Sequence, residues 1–158
     1  MKNDRLINDF LYYAQEVLDN ESVQSMSNFR QHNNTDCLQH SLNVAFQCYK
    51  WYCKYDLNIN IDNTIRGALL HDFFLYDWHV KNGHHGLHAF SHPKIALKNA
   101  NQIFKLSAME KDIIAKHMFP LTISLPAYKE SWLVILADKY IASLELLKIK
   151  KLLINISY

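Results

Sequence analysis

The chain has 158 residues, of which 49% are hydrophobic and 20% charged, an ordinary composition for a soluble globular protein with its own core. Its formal net charge is only +2, with 17 basic and 15 acidic residues, so nothing predicts binding to a nucleic-acid polymer or an anionic membrane.

Few turn-forming residues interrupt the apolar-periodic runs, since the chain has only three glycines and three prolines. This predicts an all-α protein with one domain over residues 1–158. The longest apolar stretch, residues 132–147, contains three charged residues and predicts no membrane span. Three cysteines without a Cys-x-x-Cys pair, and a charged N-terminus, predict a cytoplasmic protein.

The first two of six predicted helices are separated by a polar loop. The first covers about residues 4–18, and the loop reaches Asp36. Asp36 opens a variant capping box for the second helix, which ends near Tyr55. This second helix carries His40 one turn before apolar Val44, so we expect His40 to face the core.

The third helix contains an adjacent pair of titratable residues in an apolar setting. It is predicted to begin at Asp62 or Asn63 and to run through His71-Asp72, with apolar neighbours at helical spacing. A lone core histidine is more often a hydrogen-bonded structural residue than a ligand. A histidine and an aspartate at a helix end can instead both reach one ion.

A loop over residues 77–88 precedes the fourth helix, which Ser91 and His92-Pro93 are predicted to open. Ser107 begins a capping box for a short fifth helix. This fifth helix carries His117, whose neighbours on the same face are Ile113 and Ile114. Both His92 and His117 are therefore expected to face apolar surface.

The last helix is predicted to span about residues 129–149, after a loop that Pro120 and Pro126 bracket. Asp138 lies in its middle, and the residues three and four positions away on either side are all apolar. A buried carboxylate without a partner is costly, so Asp138 needs a donor, a cation or a metal. Taken alone, a structural hydrogen bond to a neighbouring helix end is the simpler interpretation.

Four histidines and two aspartates on five predicted helices thus point at apolar surface, and one shared cation site explains them jointly. Imidazole and carboxylate ligands without thiolate suit Mn, Fe, Co, Ni, Zn or Mg. The six candidate metal ligands are His40, His71, Asp72, His92, His117 and Asp138.

The order of His40, His71-Asp72 and Asp138 resembles the H…HD…D pattern of the HD-domain superfamily of metal-dependent phosphohydrolases. The resemblance covers roughly residues 36–145. His92-Pro93 and His117 resemble the branch with two metals, where a helix-opening His-Pro and a later histidine bind the second ion. Residues 118–120 are Met-Phe-Pro where the cyclic-dinucleotide phosphodiesterases have Gly-Tyr-Pro, which argues against cyclic-di-GMP as substrate.

The resemblance implies an HD-type helical bundle with two divalent ions between the helices. It implies hydrolysis of a small phosphoester or nucleotide by a metal-bridging hydroxide, with Asp72 and His71 as the catalytic residues. Asp72 would bridge the two ions. The other ligands would be His40, His71 and Asp138 on the first ion, and His92 and His117 on the second.

Two further interpretations stay open at this point. Some two-metal HD proteins with a similar ligand order are mixed-valent di-iron oxygenases. The compact spacing here, 20 residues from Asp72 to His92 and 25 from His92 to His117, suits them at least as well as the phosphodiesterases. A non-catalytic HD-fold binding module ranks last, because all six ligands are present.

Four more residues are candidates for contact with the substrate. His88 lies one turn before His92 and is its main rival for the second metal. Arg30 and His32 precede the helix of His40 and could overhang the pocket, although an exposed polar surface explains them slightly better. Lys139 follows Asp138 and could pair with a phosphate or with a neighbouring acid.

Overall fold

The computed structural model describes residues 2–32, 35–78 and 88–147, and within them the protein is all-α apart from one small hairpin. None of the helices in this part of the chain is long and apolar enough to cross a membrane. The α-helices are α1 (Lys2–Leu18), α2 (Glu21–Gln24), α3 (Cys37–Tyr55), α4 (Ile61–Leu70), α5 (His88–Ile103), α6 (Ala108–Lys116) and α7 (Lys129–Leu146).

The segment before Asp36 was expected to be a polar loop, and this prediction is wrong. After α1 the chain forms the short helix α2, a 3₁₀ turn over Ser25–Asn28, and an antiparallel hairpin of β1 (Arg30–His32) with β2 (Thr35–Asp36). Asn20 caps α2 by accepting a hydrogen bond from the Ser22 N–H. Val23 and Met26 are buried, and this burial fixes the segment on the bundle.

Of the four helix starts predicted from their first residues, those of α3 and α6 are confirmed, and those of α4 and α5 are wrong. Asp36 caps α3 through a bond from the Gln39 N–H, and Ser107 forms a complete capping box at α6. Helix α4 is capped by Asn60, which accepts from the Asn63 N–H, and not by Asp62 or Asn63 as predicted. The sequence offers several good cap residues in this stretch, and contacts from elsewhere in the fold select among them.

Helix α5 begins at His88, so the prediction that Ser91 opens it is wrong. Pro93 consequently lies inside the helix instead of in its first turn, and His92 lies one turn in. Residues 79–87 of the expected loop are outside the described part of the chain. Helix α7 ends at Leu146, where the prediction reached residue 149, and residues 148–158 are also outside the described part.

Helices α3 and α4 form the centre of the bundle. Helix α3 packs most extensively against α4 and α7, while α4 packs against α6 and α1, and α5 against α6. Gly67 of α4 contacts α6 closely, since a Cβ at this position would lie 2.8 Å from Cδ1 of Ile113. This arrangement brings the start of α3, the ends of α4 and α6, and the middle of α7 together with the first turns of α5.

Candidate metal centre

The structure brings all six predicted ligands into one buried cluster. His40 lies on the first turn of α3, His92 on α5 and Asp138 on α7. His71 is the C-cap of α4 rather than an interior residue of that helix, with Asp72 directly after it, and His117 is the C-cap of α6. The side chains of the four histidines and Asp72 are at most 4% exposed, and that of Asp138 is 13% exposed.

One half of the cluster surrounds Oδ2 of Asp72. Nε2 of His71 lies 3.4 Å from this oxygen, and Nε2 of His40 lies 3.9 Å from it. Oδ1 of Asp138 lies 3.1 Å from Nε2 of His40 and 3.9 Å from Nε2 of His71. Two imidazole nitrogens and two carboxylates therefore converge on one position.

The other half surrounds Oδ1 of Asp72. Nε2 of His92 lies 3.3 Å from this oxygen, and Nε2 of His117 lies 3.5 Å from it. The two histidine nitrogens are 2.7 Å apart. Asp72 thus presents one oxygen to each half of the cluster, as a bridging carboxylate would.

Backbone carbonyls fix the orientation of three of the histidine rings. A carbonyl oxygen can only accept a hydrogen bond, so the Nδ1 atom facing it carries the proton, and the Nε2 atom of a neutral ring carries a lone pair. The three bonds run from His71 to the Ala68 carbonyl at 2.7 Å, from His92 to the His88 carbonyl at 2.9 Å, and from His117 to the Ile114 carbonyl at 2.9 Å.

With these orientations, several hydrogen-bond acceptors are buried close together, and a cation between them would stabilise the arrangement. In the neutral rings, the lone pairs of His92 and His117 face each other, which is unfavourable unless positive charge lies between them. Nε2 of His71 and Oδ1 of Asp72 are buried and have no hydrogen-bond partner. Buried polar atoms are rarely left unsatisfied, so the donor set fits divalent metal ions, with His40, His71 and Asp72 as one possible group and Asp72, His92 and His117 as the other.

Comparison with protein families agrees with this geometry. The model of the HD domain matches residues 37–143, which is more than half of the chain. The chain belongs to the HD-domain family. HD domains typically bind divalent metals and characterise a superfamily of metal-dependent phosphohydrolases. No curated protein and no solved structure matches the chain.

In this HD domain, the neighbouring histidines keep the two aspartates of the cluster ionised. Burial would raise the pKa of Asp72, but His71 and His92 outweigh it and hold the pKa of that carboxyl well below its usual range. Burial similarly opposes ionisation of Asp138, yet its hydrogen bond with His40 and the charge of His71 lower its pKa to about 2. Both aspartates are therefore anionic and suited to bind cations.

The surroundings of His117 and His40 shift their pKa values in opposite directions. Burial and the neighbouring histidines His92 and His71 lower the pKa of His117 to about 3, so its ring is neutral. Burial also disfavours the charged form of His40, but hydrogen bonds with Asp138 and Glu145 outweigh it and raise the pKa to about 10. Protons and metal ions consequently compete for the half of the cluster that holds His40.

A cavity of about 780 Å³ opens onto the cluster. Asp72, His92, His117 and Asp138 line its floor, and most of the remaining wall is apolar. The other lining residues are Gln31, Trp78, His88, Ala89, Met118, Pro120, Leu121, Lys139 and Ala142.

The structure separates the four residues predicted to contact substrate. His88 and Lys139 line the cavity, whereas Arg30 is exposed on β1 and is not part of the cavity wall. The side chain of His32 lies outside the described residues. His88 stacks between Trp78 and His92, with ring centroids 4.8 and 4.6 Å away. His88 therefore lies beside His92. The nitrogen next to Asp72 is Nε2 of His92, not a nitrogen of its rival His88.

Two residues that contact the cluster, Gln31 and Glu145, were not predicted as site residues. Gln31 on β1 is 7% exposed, and its amide Nε2 donates to Oδ2 of Asp72 at 2.5 Å. Glu145 on α7 accepts at 2.8 Å from Nδ1 of His40. Glu145 lies two helical turns after Asp138, on the same face of α7, and that spacing is the signal that could have found it. No pattern in the sequence marks Gln31, because its position depends on the hairpin.

Proposed function

We propose that this HD domain is a metal-dependent hydrolase of small phosphoesters or nucleotides. The observation that carries the proposal is the pair of oxygens of Asp72, each of which faces two histidine nitrogens in a buried cluster. A single carboxylate between two such groups is the arrangement that holds two ions side by side. All four residues of the H…HD…D pattern are present, and His92 and His117 add the two histidines that the two-metal branch has.

In this proposal each residue has a defined task. Asp72 would give one oxygen to each ion, while His71 would present its unsatisfied Nε2 to the first. His40 and Asp138 would complete the ligands of the first ion, and His92 and His117 would hold the second. The bound ions would supply a water of lowered pKa and positive charge to neutralise a phosphate.

The cavity supports a small substrate. A volume of about 780 Å³ is in the range of sites for small molecules. Lys139 stands in its wall with an exposed side chain, and its Nζ donates to the His117 carbonyl at 3.4 Å. This ammonium is placed to meet an anionic group of the substrate. The apolar wall formed by Met118 and Leu121 would cover the uncharged part of the substrate.

The test is a panel of phosphoesters with the protein loaded with Mn, Co, Ni, Mg or Fe. We expect metal-dependent release of phosphate or of a nucleoside monophosphate, with oxygen-18 from labelled water appearing in the phosphate product. Asp72→Asn keeps the shape of the side chain and should abolish most turnover. Asp19→Asn, which changes an exposed carboxylate, is the matched control and should keep full activity.

A di-iron oxygenase is a second candidate on the same ligands. The observation that favours it is the predominantly apolar cavity wall, in which Lys139 is the only cationic side chain among the described lining residues apart from the histidines. The discriminating experiment is metal analysis of protein purified without oxygen. Bound iron and consumption of O₂ with an organic substrate, together with no turnover of any phosphoester, would replace the hydrolase with the oxygenase.

A further inference from the structure

His40 differs from the other three histidines of the cluster in what holds its ring. His71, His92 and His117 each donate from Nδ1 to a backbone carbonyl three or four residues earlier in the chain. Nδ1 of His40 instead lies 2.8 Å from Oε2 of Glu145, a carboxylate 105 residues away on α7. One histidine of the cluster is thus oriented by a negative charge and three by neutral groups.

Glu145 is itself held in place from α3. The side-chain amide of Asn43 donates to Oε1 of Glu145 at 3.3 Å, and the amide of Gln39 donates to Asn43 at 3.0 Å. The side chain of Glu145 is only 9% exposed. Both of its oxygens therefore have a partner on the helix that carries His40, and the carboxylate is fixed rather than free to turn towards water.

Helix α7 contacts both nitrogens of the His40 ring. Asp138 lies 3.1 Å from Nε2, and Glu145, seven residues later on the same face, lies 2.8 Å from Nδ1. In the metal-free protein both ring nitrogens of His40 face carboxylates and carry protons. An ion that binds beside His40 would displace the Nε2 proton, and Glu145 would then keep the remaining proton on Nδ1, which leaves the lone pair on Nε2. The carboxylate also makes that lone pair a stronger ligand than a carbonyl partner does, since a charged acceptor withdraws the Nδ1 proton more strongly.

We propose that Glu145 is a positioning residue that makes the ion beside His40 the more tightly bound of two unequal ions. The inference rests on the proposed two-ion site. The ion beside His92 and His117 has no corresponding carboxylate behind its ligands among the described contacts. It would exchange more readily, so the protein would pass through a state with one ion before it holds two.

The test is a titration of chelator-treated protein with Co²⁺, without substrate, followed by equilibrium binding and by the visible absorption bands of the metal. For the wild type we expect two binding steps. After correction for the proton that the ion displaces from His40, obtained from titrations at several pH values, Glu145→Gln should weaken the tighter step by about 10- to 100-fold and shift the bands of that ion, while the weaker step stays within twofold. Glu145→Ala, which removes the partner altogether, should weaken it more than Glu145→Gln.

Glu130→Gln is the matched control for a buried carboxylate on α7. Glu130 is 3% exposed and accepts from the Asn60 N–H at 3.0 Å, and it belongs to neither group of candidate metal ligands. This variant should lose stability without a change in either binding step. If Glu145→Gln does not fold, Asn43→Ala tests the same chain of bonds and should weaken the tighter step by a smaller factor.

Three results would overturn the inference. They are unchanged Co²⁺ binding in the Glu145 variants, equal weakening of both steps, and the same effect in Glu130→Gln. A wild type that binds no divalent ion would overturn the proposed function and this inference together. A wild type that binds two ions, with no difference in Glu145→Gln, would overturn this inference alone.

Discussion

Asp72 is the residue on which both halves of the cluster depend. Its two oxygens lie within 3.3 to 3.9 Å of four histidine nitrogens, and Oδ1 has no hydrogen-bond partner. His117 contributes to one half only. Variants of the two residues therefore compare the proposed bridging ligand, Asp72, with a proposed ligand of one ion only, His117.

We expect Asp72→Ala to lose both metal ions and His117→Ala to lose chiefly one. The physical reason is that removal of the shared carboxylate takes one ligand from each ion and the negative charge from both. Metal content of the two purified variants, measured by elemental analysis, checks this. Circular dichroism should first establish that each variant is folded. Equal loss of metal in both would mean that Asp72 does not bridge.

Gln31 is a neutral side chain that holds the carboxylate of Asp72 in place. Its Nε2 donates to Oδ2 of Asp72, and its Oε1 accepts from Sγ of Cys37 at 3.5 Å. The two bonds fix the amide and direct its N–H groups at Asp72. With Oδ2 held from this side, the carboxylate keeps the orientation in which Oδ1 faces His92 and His117.

At the scale of the elements, the close approach of α4 and α6 is set by Gly67. A Cβ there would lie 2.8 Å from Cδ1 and 3.1 Å from Cβ of Ile113, whose side chain is fully buried. Both helices end in a candidate ligand of the cluster, His71 on α4 and His117 on α6. Their separation therefore sets the distance between two of the histidines proposed to bind metal.

Gly67→Ala should destabilise the protein by about 1–3 kcal/mol, because overpacking a fixed neighbour outweighs the gain in helix propensity. Ile113→Val removes Cδ1, and the double variant should recover part of the loss. Urea denaturation of the two single variants and the double variant measures the coupling. Additive losses in the double variant, or a Gly67→Ala protein as stable as the wild type, would show that the contact is not limiting.

Asp112 joins α6 to the start of α7. Its Oδ2 accepts from the Ala127 N–H at 2.9 Å and from the Ser131 hydroxyl at 2.7 Å, and Oδ1 pairs with Lys116 at 2.5 Å. Burial would raise the pKa of Asp112, but the bonds from Lys116, Ser131 and Ala127 outweigh it and lower the pKa below its usual value. Since the pKa falls on folding, the ionised carboxylate stabilises the folded state.

Asp112→Asn should lower the free energy of unfolding by about 2 kcal/mol at pH 7, because a charged acceptor of three bonds becomes neutral. The contribution of the carboxylate is fully present above its unfolded pKa of about 3.9 and is lost as the pH falls through the lower folded pKa. The difference between wild type and variant should therefore shrink below about pH 4. Denaturation at several pH values measures it, and the exposed Asp19→Asn should change stability by less than about 0.5 kcal/mol. A difference that stays constant down to pH 2 would contradict this assignment.

At the scale of the whole molecule, the cluster ties α3, α4, α5, α6 and α7 together at one point. Each of these helices carries or ends at one of the six candidate ligands, so bound ions would cross-link most of the bundle. In the metal-free protein, anionic Asp72 and Asp138 and inward-facing imidazoles remain buried with less compensation.

Prolonged chelation should therefore lower the melting temperature, and added Mn²⁺ or Co²⁺ should restore it. An ion that binds only the folded protein adds about 2.7 kcal/mol at a hundredfold excess over Kd. Calorimetry of the same sample before and after verified metal removal makes the measurement. Asp72→Ala should melt at the same temperature with and without metal. An unchanged wild-type melt after complete removal would argue against a buried ion site.

The sequence by itself determined the features that depend on local pattern. The all-α class and the cap residues Asp36 and Ser107 are confirmed. The six candidate residues also lie close together in the structure, as the sequence predicted. Helical periodicity and capping act over a few residues, so they can be read without the fold. The order of the ligands along the chain predicted the HD domain, and the family match confirms it. Their roles as metal ligands, and the single domain over residues 1–158, stay predictions.

Only the tertiary structure decided the features that join distant segments. Asn60 caps α4 because its own N–H is bound by buried Glu130 of α7, a contact across 70 residues. Glu145 reaches His40 across 105 residues, and Gln31 reaches Asp72 across 41 through a hairpin that the sequence predicted as loop. Such contacts depend on where whole elements pack against each other, and short-range patterns carry no information about that. The candidate ligands could therefore be proposed from the sequence, whereas the residues that hold and orient them required the fold.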